Sequence, residues 1–401
     1  MPPPVEFDPF SSVFFDDPYP TYRRLRDEAP VYRNDKYGFV ALSRYADVVA
    51  SHRDWETYSS THGVDLITLA SGEPPSEHLS MIMMDPPAHH HMRTLVNRVF
   101  TPRAMAELET MVRSVIGSYL DPLVGRVEFD AVAELAGPFP VEVISSMLGI
   151  PAADRQRIRH QVDLMLHREP GATAINEEAM AAAVAFGGYL YELVVDKRAN
   201  PSDDLLSRLC AVEAERDGGE KSGLDDVEIT GFAALLAAAG SETVTKLVGN
   251  AVVLFARHPG QWRKILEDPS RIPNAVEEVL RYLPPSQYQG RFSIRDSELH
   301  GMTIPAGVPV LLLTGAATRD EREFDEPDRF DVDRAPGMAL GFGHGIHTCL
   351  GAALARLESR IALEEWARRW PEFEVDEDGL RRVHMANVAG YSNVPVTVGS
   401  R

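Results

Sequence analysis

The rhythm of apolar and polar positions changes several times along this chain, and each change predicts a different kind of element. Near the start, Val31-Tyr32 and Phe39-Val40-Ala41-Leu42 flank a polar turn holding Gly38, which reads as a hairpin. From about Ala104 to His258 helical signals dominate, broken at Pro151, Pro170-Gly171, Pro201 and Gly218-Gly219. From Phe292 to Val310 the pattern turns β-like, with Gly301 and Gly307 as turns. A last helix follows Cys349 and ends before Pro371, and short strands are expected between Val383 and Val398. The sum is a mainly α chain with small β-sheets near both ends, an α+β protein. It reads as one domain over residues 1–401, with the Pro-rich residues 1–15 as a loosely held arm.

One predicted helix stands apart. Asp225 and Asp226, suited to a helix N-terminus, precede an apolar stretch that runs to Arg257, and Pro259 stops it. At 1.5 Å per residue a helix of about thirty residues is roughly 45 Å long. Phe232 to Ala239 is apolar nearly all round, so its middle should be buried. Next comes Ala239-Gly240-Ser241-Glu242-Thr243. A mid-helix glycine costs about 1 kcal/mol against alanine, and a buried acid and hydroxyl add desolvation. Local rules broken together mark functional sites, although a helix kink with a back-bonding threonine reads the same way.

Composition narrows the classes. Hydrophobic residues make up 44% and charged residues 25%, an ordinary globular balance. The apolar run at Phe232 is too short to span a bilayer, and the N-terminus lacks the basic and apolar regions of a signal peptide. A cytoplasmic protein without a membrane segment is expected. Forty basic against sixty acidic residues give a net charge of −20, which disfavours nucleic acid and anionic membrane as partners. Two cysteines cannot build a disulfide framework.

Of those two, Cys349 lies in Phe342-Gly343-His344-Gly345-Ile346-His347-Thr348-Cys349-Leu350-Gly351. A thiolate there could bind a haem iron, since a metal-bound thiol is deprotonated and pushes electron density toward oxygen cleavage. Gly343, Gly345 and Gly351 would let backbone approach a flat macrocycle and adopt positive φ. A plain buried cysteine in a turn is the alternative.

The pattern Phe-Gly-x-Gly-x-His-x-Cys-x-Gly resembles the haem loop of the cytochrome P-450 family, in its soluble bacterial form. The Ala-Gly-x-Glu-Thr segment, Glu278-x-x-Arg281, the helix of His89 and Arg93, and Arg291 with its strands match other family segments in order and spacing. The resemblance implies a triangular helical bundle, with haem b between the long central helix and the helix after the cysteine loop. Cys349 would ligate iron. Thr243 and Glu242 would deliver protons, and Gly240 would leave room for O2. His89, Arg93, Arg291 and His347 would meet the haem propionates, with Phe342, Gly343 and Gly351 cradling the ring. His89 and Arg93, at i and i+4, share a helix face that Asp85 would cap, whereas adjacent histidines point about 100° apart and cannot converge on one ion. Glu278 and Arg281, at i and i+3, would join Arg334 to lock the loop, although such pairs also decorate solvated faces.

By the same resemblance, the substrate wall takes Leu79, Ile82 and Met83; Leu235, Leu236 and Ala239; Pro285, Ser286, Gln287 and Tyr288; and Asn387, Val388 and Ala389. That mostly apolar set suits a lipid, steroid, terpenoid or polyketide. The implied activity is hydroxylation or epoxidation with O2 by a monomer. No flavin or nicotinamide fingerprint is present, so electrons are expected from an iron–sulfur ferredoxin with its NAD(P)H-dependent reductase, docking near Arg98, Arg103 and Arg356. A peroxygenase or coupling oxidase, and a non-enzymatic haem sensor, are the rival readings.

Overall fold

The structure, a computed structural model, describes residues 3–72, 80–98, 107–215, 221–335 and 337–399. The helices that position the site are α1 (Tyr45–Arg53), α2 (Ala88–Asn97), α3 (Pro138–Leu148), α4 (Ala152–Leu166), α5 (Glu177–Ala199), α6 (Asp226–Arg257), α7 (Ile272–Tyr282) and α8 (Ala352–Arg369). The main sheet holds β1 (Val31–Asn34), β2 (Phe39–Leu42), β3 (Tyr58–Ser59), β4 (Gln289–Ser293) and β5 (Pro309–Leu312), in the order β1-β2-β5-β4-β3. β1 and β2 form the expected hairpin, with Val31 opposite Leu42. β5 runs parallel to β2 and antiparallel to β4, which sets Val310 opposite Arg291 and fixes that arginine inside the sheet. A smaller sheet joins Phe373–Val375, Pro395–Val398 and Glu128–Asp130.

α6 is the axis of the molecule. It is 32 residues long and starts in a capping box: the Asp225 carboxylate accepts from the Glu228 N–H, and Glu228 accepts from the Asp225 N–H. α3, α5, α7 and α8 all pack on it. Both α5 and α6 are long and apolar enough to cross a bilayer by length and composition, which the run at Phe232 did not suggest. Here they pack against each other and against α3 and α4. The apolar half of α6 toward its C-terminus, from Val244 to Phe255, joins Trp366 of α8 and Val279 of α7 in the largest core cluster.

The N-terminal arm corrects the expectation. From residue 3 it is described, and Phe7, Phe10, Phe14 and Phe15 are buried. Phe7 packs its ring against Phe14, Tyr22, Tyr32 and Phe39, and its backbone carbonyl accepts from Asn34 Nδ2 at 2.9 Å. Four phenylalanines outweigh the prolines that suggested a loose segment, because each buried aromatic side chain contributes about 1.5–3 kcal/mol.

Candidate functional site

Cys349 sits at the end of a tight loop. Gly343 and Gly345 take φ of 70° and 72°, the left-handed region where glycine is strain-free. A Cβ at Gly345 would lie 2.4 Å from the His52 carbonyl oxygen, so glycine there lets α1 touch the loop. The Cys349 N–H donates to the Phe342 carbonyl at 2.8 Å and closes the turn. Gly351 has φ of −83° and open space where a Cβ would go, so neither strain nor crowding requires glycine. Its N–H, and that of Ala352 at the start of α8, instead point at the sulfur. Burial pushes the thiol up, while the Gly351 N–H, Arg93 and Arg356 pull it toward the thiolate. The Cys349 side chain nonetheless keeps accessible surface.

Beside the loop lies a pocket of basic groups. His52 of α1 (3% exposed), His89 of α2 (1%) and Arg291 of β4 (4%) are buried together near His347. The His89 and His347 rings are 4.5 Å apart. Among the described residues neither ring nitrogen of His89 has a hydrogen-bond partner, and His52 is met only by Gln289. Arg291 donates to the carbonyl of its own neighbour Gly290 at 2.7 Å, and no carboxylate pairs with it among the described residues. Arg93, half-buried, donates to the Thr348 carbonyl at 2.9 Å, and Ser60 Oγ lies 3.2 Å from His347 Nε2. Burial first, and then neighbouring cations, hold His52 at about 3, His89 at about 4 and His347 at about 2. Burial also lowers Arg291 to about 10, partly offset by Asp85.

That carboxylate is already engaged. Asp85 accepts from Ser59 Oγ at 2.6 Å and from the Ser60 N–H at 3.1 Å, rather than capping α2, which starts without a side-chain cap. Buried cations and imidazoles without an anion are costly. They fit the two propionates of haem b, whose charge would satisfy His89, Arg291 and His347, with Arg93 alongside. His52 and Ser60 join this pocket although the sequence pattern did not single them out. His52 lies on an ordinary helix, and only the packing of α1 on the loop turns it inward.

On the other flank, Glu278 and Arg281 of α7 form a two-pronged pair, with Arg281 Nε to Glu278 Oε2 at 2.7 Å and Nη2 to Oε1 at 2.8 Å. Arg334 Nε reaches Glu278 Oε1 at 3.3 Å, and the Asp331 N–H donates to the same oxygen at 2.9 Å. The remaining guanidinium donors go to backbone: Arg281 to Thr318, Pro327 and Arg329, and Arg334 to Asp325, Glu326 and Arg329. A Cβ at Gly341 would sit 3.0 Å from the Leu280 carbonyl, so α7 also touches the start of the cysteine loop. This is a buried lock, not a solvated pair.

In the middle of α6, Phe232, Ala233, Leu236 and Ala237 are buried but Ala239 is exposed, so the helix opens on one side just where the sequence read it as enclosed. Thr243, four residues on, shares that face and donates its hydroxyl to the Ala239 carbonyl at 2.8 Å. The Gly240 Cβ direction meets Ile144 of α3 at 3.6 Å, an ordinary contact, so its missing side chain faces α3 rather than making room on the Ala239 face. Glu242 (4% exposed) turns to another face and pairs with Lys246 at 3.0 Å. It also presses on Asp163 of α4, whose carboxyl is pushed up to about 7 by burial and then by Glu242.

The expected substrate wall is only partly assembled. Leu79 and Arg103 lie outside the described residues. Ile82, Met83, Leu235 and Val388 are half-buried, and Leu235 packs on the same core cluster as Met84, Met165 and Leu350, the neighbour of Cys349. Leu236, Gln287 and Tyr288 are corrections. Leu236 lies within that core, and Gln287, fully buried, donates to the Pro284 carbonyl at 2.7 Å. Tyr288 packs near Phe14 in the N-terminal cluster. Pro285 is also buried, but its carbonyl accepts from the Ala389 N–H at 2.7 Å and so orders the neighbouring turn. Ser286 pairs with Val388, and Asn387 Nδ2 donates to Ser286 Oγ at 3.3 Å, holding the two loops together. Of the basic docking patch, Arg98 is held by the Glu213 carbonyl, and Arg356 pairs with Glu277 while lying 4.6 Å over the Phe342 ring.

Known proteins share this arrangement. The profile described as Cytochrome P450 matches residues 271–379. Cytochrome P450 123 of Mycobacterium tuberculosis is 44% identical over 400 residues, covering 100% of this chain and 98% of that protein. Erythromycin C-12 hydroxylase of Saccharopolyspora erythraea is 39% identical over 383 residues, 94% of this chain and 93% of that one. The solved structure of cytochrome P450 CYP109Q5 from Chondromyces apiculatus superposes with a TM-score of 0.87 at 33% identity, over 99% of this chain and 100% of that one.

Proposed function

This chain belongs to the cytochrome P450 family and is a haem b- and O2-dependent monooxygenase, and we propose that it hydroxylates or epoxidises a hydrophobic small molecule in the cytoplasm with electrons from an iron–sulfur ferredoxin. The observation that carries the reading is Cys349: a thiol with accessible surface, met by backbone N–H groups and set beside a cluster in which Arg93 and Arg291 have no carboxylate partner among the described residues. Bound there, haem b supplies O2 reduction and transfer of one oxygen atom to the substrate. The protein's own residues do the rest. The Gly351 and Ala352 N–H groups and the charge of Arg93 would favour the thiolate once the sulfur ligates iron. His89, Arg291, His347 and Arg93 would hold the propionates. Glu278, Arg281 and Arg334 keep the loop from moving.

Proton supply falls to α6. The Thr243 hydroxyl gives its proton to the Ala239 carbonyl and keeps its lone pairs for a water on the open face. Glu242 and Asp163 form a carboxyl pair that retains a proton near neutral pH, reached from the α4 side. The half-buried Ile82, Met83, Leu235 and Val388, with Ala239, give an apolar wall that suits a scaffold of lipid, steroid, terpenoid or polyketide type. The relative named as an erythromycin hydroxylase supports a macrocyclic or similarly large substrate.

The test is turnover of the haem-loaded protein. Product formed with ferredoxin, reductase and NAD(P)H but not with peroxide alone is expected, and the reverse would favour a peroxygenase. Thr243→Ala should retain haem and divert about 10²-fold more electron flow into peroxide than into product. Full coupling in that variant would remove Thr243 from proton delivery.

A further inference from the structure

The arginines buried in this fold are Arg26, Arg168, Arg281, Arg291 and Arg319. Three have an anion. Arg26 pairs with Glu321 at 3.1 Å, Arg281 with Glu278 at 2.7 Å, and Arg319 with Asp328 at 3.4 Å while stacked between the Tyr19 and Tyr282 rings. Arg291 is assigned above to the cofactor's propionates. Arg168, 9% exposed, has no carboxylate within ion-pair distance among the described residues, and the haem reading does not use it.

Its surroundings are those of a ligand wall. Arg168 follows α4, and its N–H donates to the His384 carbonyl at 2.7 Å. His167 bridges Met385, Met385 bridges Val388, and Val388 bridges Ser286, so the α4 end, the 385–388 turn and the loop after α7 form one unit. Met165 and Leu166, just before Arg168, pack against the same core cluster as Leu235 and Ala238 of α6. Asp65 and Tyr288 are the acidic groups the guanidinium feels, but Asp65 accepts from the Ile67 N–H, the Thr68 N–H and Thr68 Oγ1 and makes no ion pair with Arg168. Nη1 donates to the Met165 and His167 carbonyls at 2.8 and 2.7 Å, and Nε is buried without a partner. A guanidinium that only capped α4 would not need to be buried with a donor unmet, since a buried unpaired donor is costly.

We infer that Arg168 is the anchor for a carboxylate on the substrate, which makes the substrate a lipophilic acid. This rests on the monooxygenase reading and names the substrate class of that same site. A carboxylate accepting from Nε and a terminal nitrogen would supply the missing charge in two-pronged geometry.

The test uses the haem-loaded full chain at a pH well above the carboxylic acid range, titrated with straight-chain fatty acids of graded length and with their methyl esters. The haem spin-state shift is the readout. Acids should bind at least tenfold more tightly than the matching esters. Arg168→Gln should bring acid affinity down to that of the ester and leave the ester unchanged, and Arg168→Lys should retain part of the preference. Equal affinity for acid and ester in the parent protein would overturn the inference, as would a preference that survives Arg168→Gln or an absence of shift with both classes. If Arg168→Gln loses thermal stability while the preference persists, the residue is a helix cap only. The reduced carbon monoxide spectrum, read on the same samples, reports separately on the haem–thiolate reading.

Discussion

Two groups of buried polar side chains flank the Cys349 loop and are treated in opposite ways. Glu278, Arg281 and Arg334 satisfy one another, and their spare donors end on backbone carbonyls. His52, His89 and Arg291 are as deeply buried, yet no carboxylate pairs with them among the described residues. The same physics, the high cost of an isolated buried charge, gives a structural lock where the partner is protein and a binding site where the partner must come from outside. Unsatisfied burial is therefore the more informative of the two.

The comparison can be broken most severely at the lock. Glu278→Gln leaves two guanidiniums without their carboxylate and should lower unfolding free energy by about 3–5 kcal/mol in urea, with or without haem. A loss seen only in the haem-loaded form would mean the triad is part of the binding pocket after all. In the pocket the sign differs. Arg291→Leu should speed haem transfer to an excess apo-acceptor protein by roughly 30-fold, about 2 kcal/mol for a charged hydrogen bond, while the haem-free protein unfolds no more easily. His52→Leu should act the same way more weakly, about 1 kcal/mol. If haem loss is unchanged, the imidazole is not aimed at the propionates.

The smallest effect concerns Asp163. Its carboxyl titrates near 7 in the fold, above the ordinary 3.8, so the folded protein holds a proton that the unfolded chain has released. Its contribution is therefore most favourable below about pH 4 and falls as pH rises to 7. Its side chain is 40% exposed, so water moderates the effect to about 1 kcal/mol or less. Asp163→Asn should gain stability over the parent at pH 8 but not at pH 4, as urea midpoints would show. A pH-independent difference would remove the carboxyl pair.

What was legible in the sequence follows from how local each signal is. The acidic start of α6 at Asp225 and Asp226, the glycine-spaced cysteine loop and the Glu278-x-x-Arg281 pair are written within a few residues, and each forms where it was read. Errors came from contacts between distant segments. Asp85 resembled a helix cap, but the Ser59-Ser60 backbone and hydroxyl compete for it more effectively. Gln287 and Tyr288 both turn into the core, because Gln287 donates to the Pro284 carbonyl and Tyr288 packs into the N-terminal aromatic cluster. His52 was invisible because nothing in α1 announces that the loop from Gly343 to Cys349 packs on its end. The N-terminal arm was misread because proline content was weighed above its phenylalanines.

The account as a whole depends on the Cys349 sulfur acting as thiolate ligand to haem iron. The direct measurement is the absorption spectrum of the reduced protein under carbon monoxide, beside Cys349→His. The parent should show the red-shifted band from which the family takes its name, and the variant should lose it for the band of imidazole-ligated haem. A parent spectrum already of the imidazole type, or a variant that keeps the thiolate band, would contradict the account.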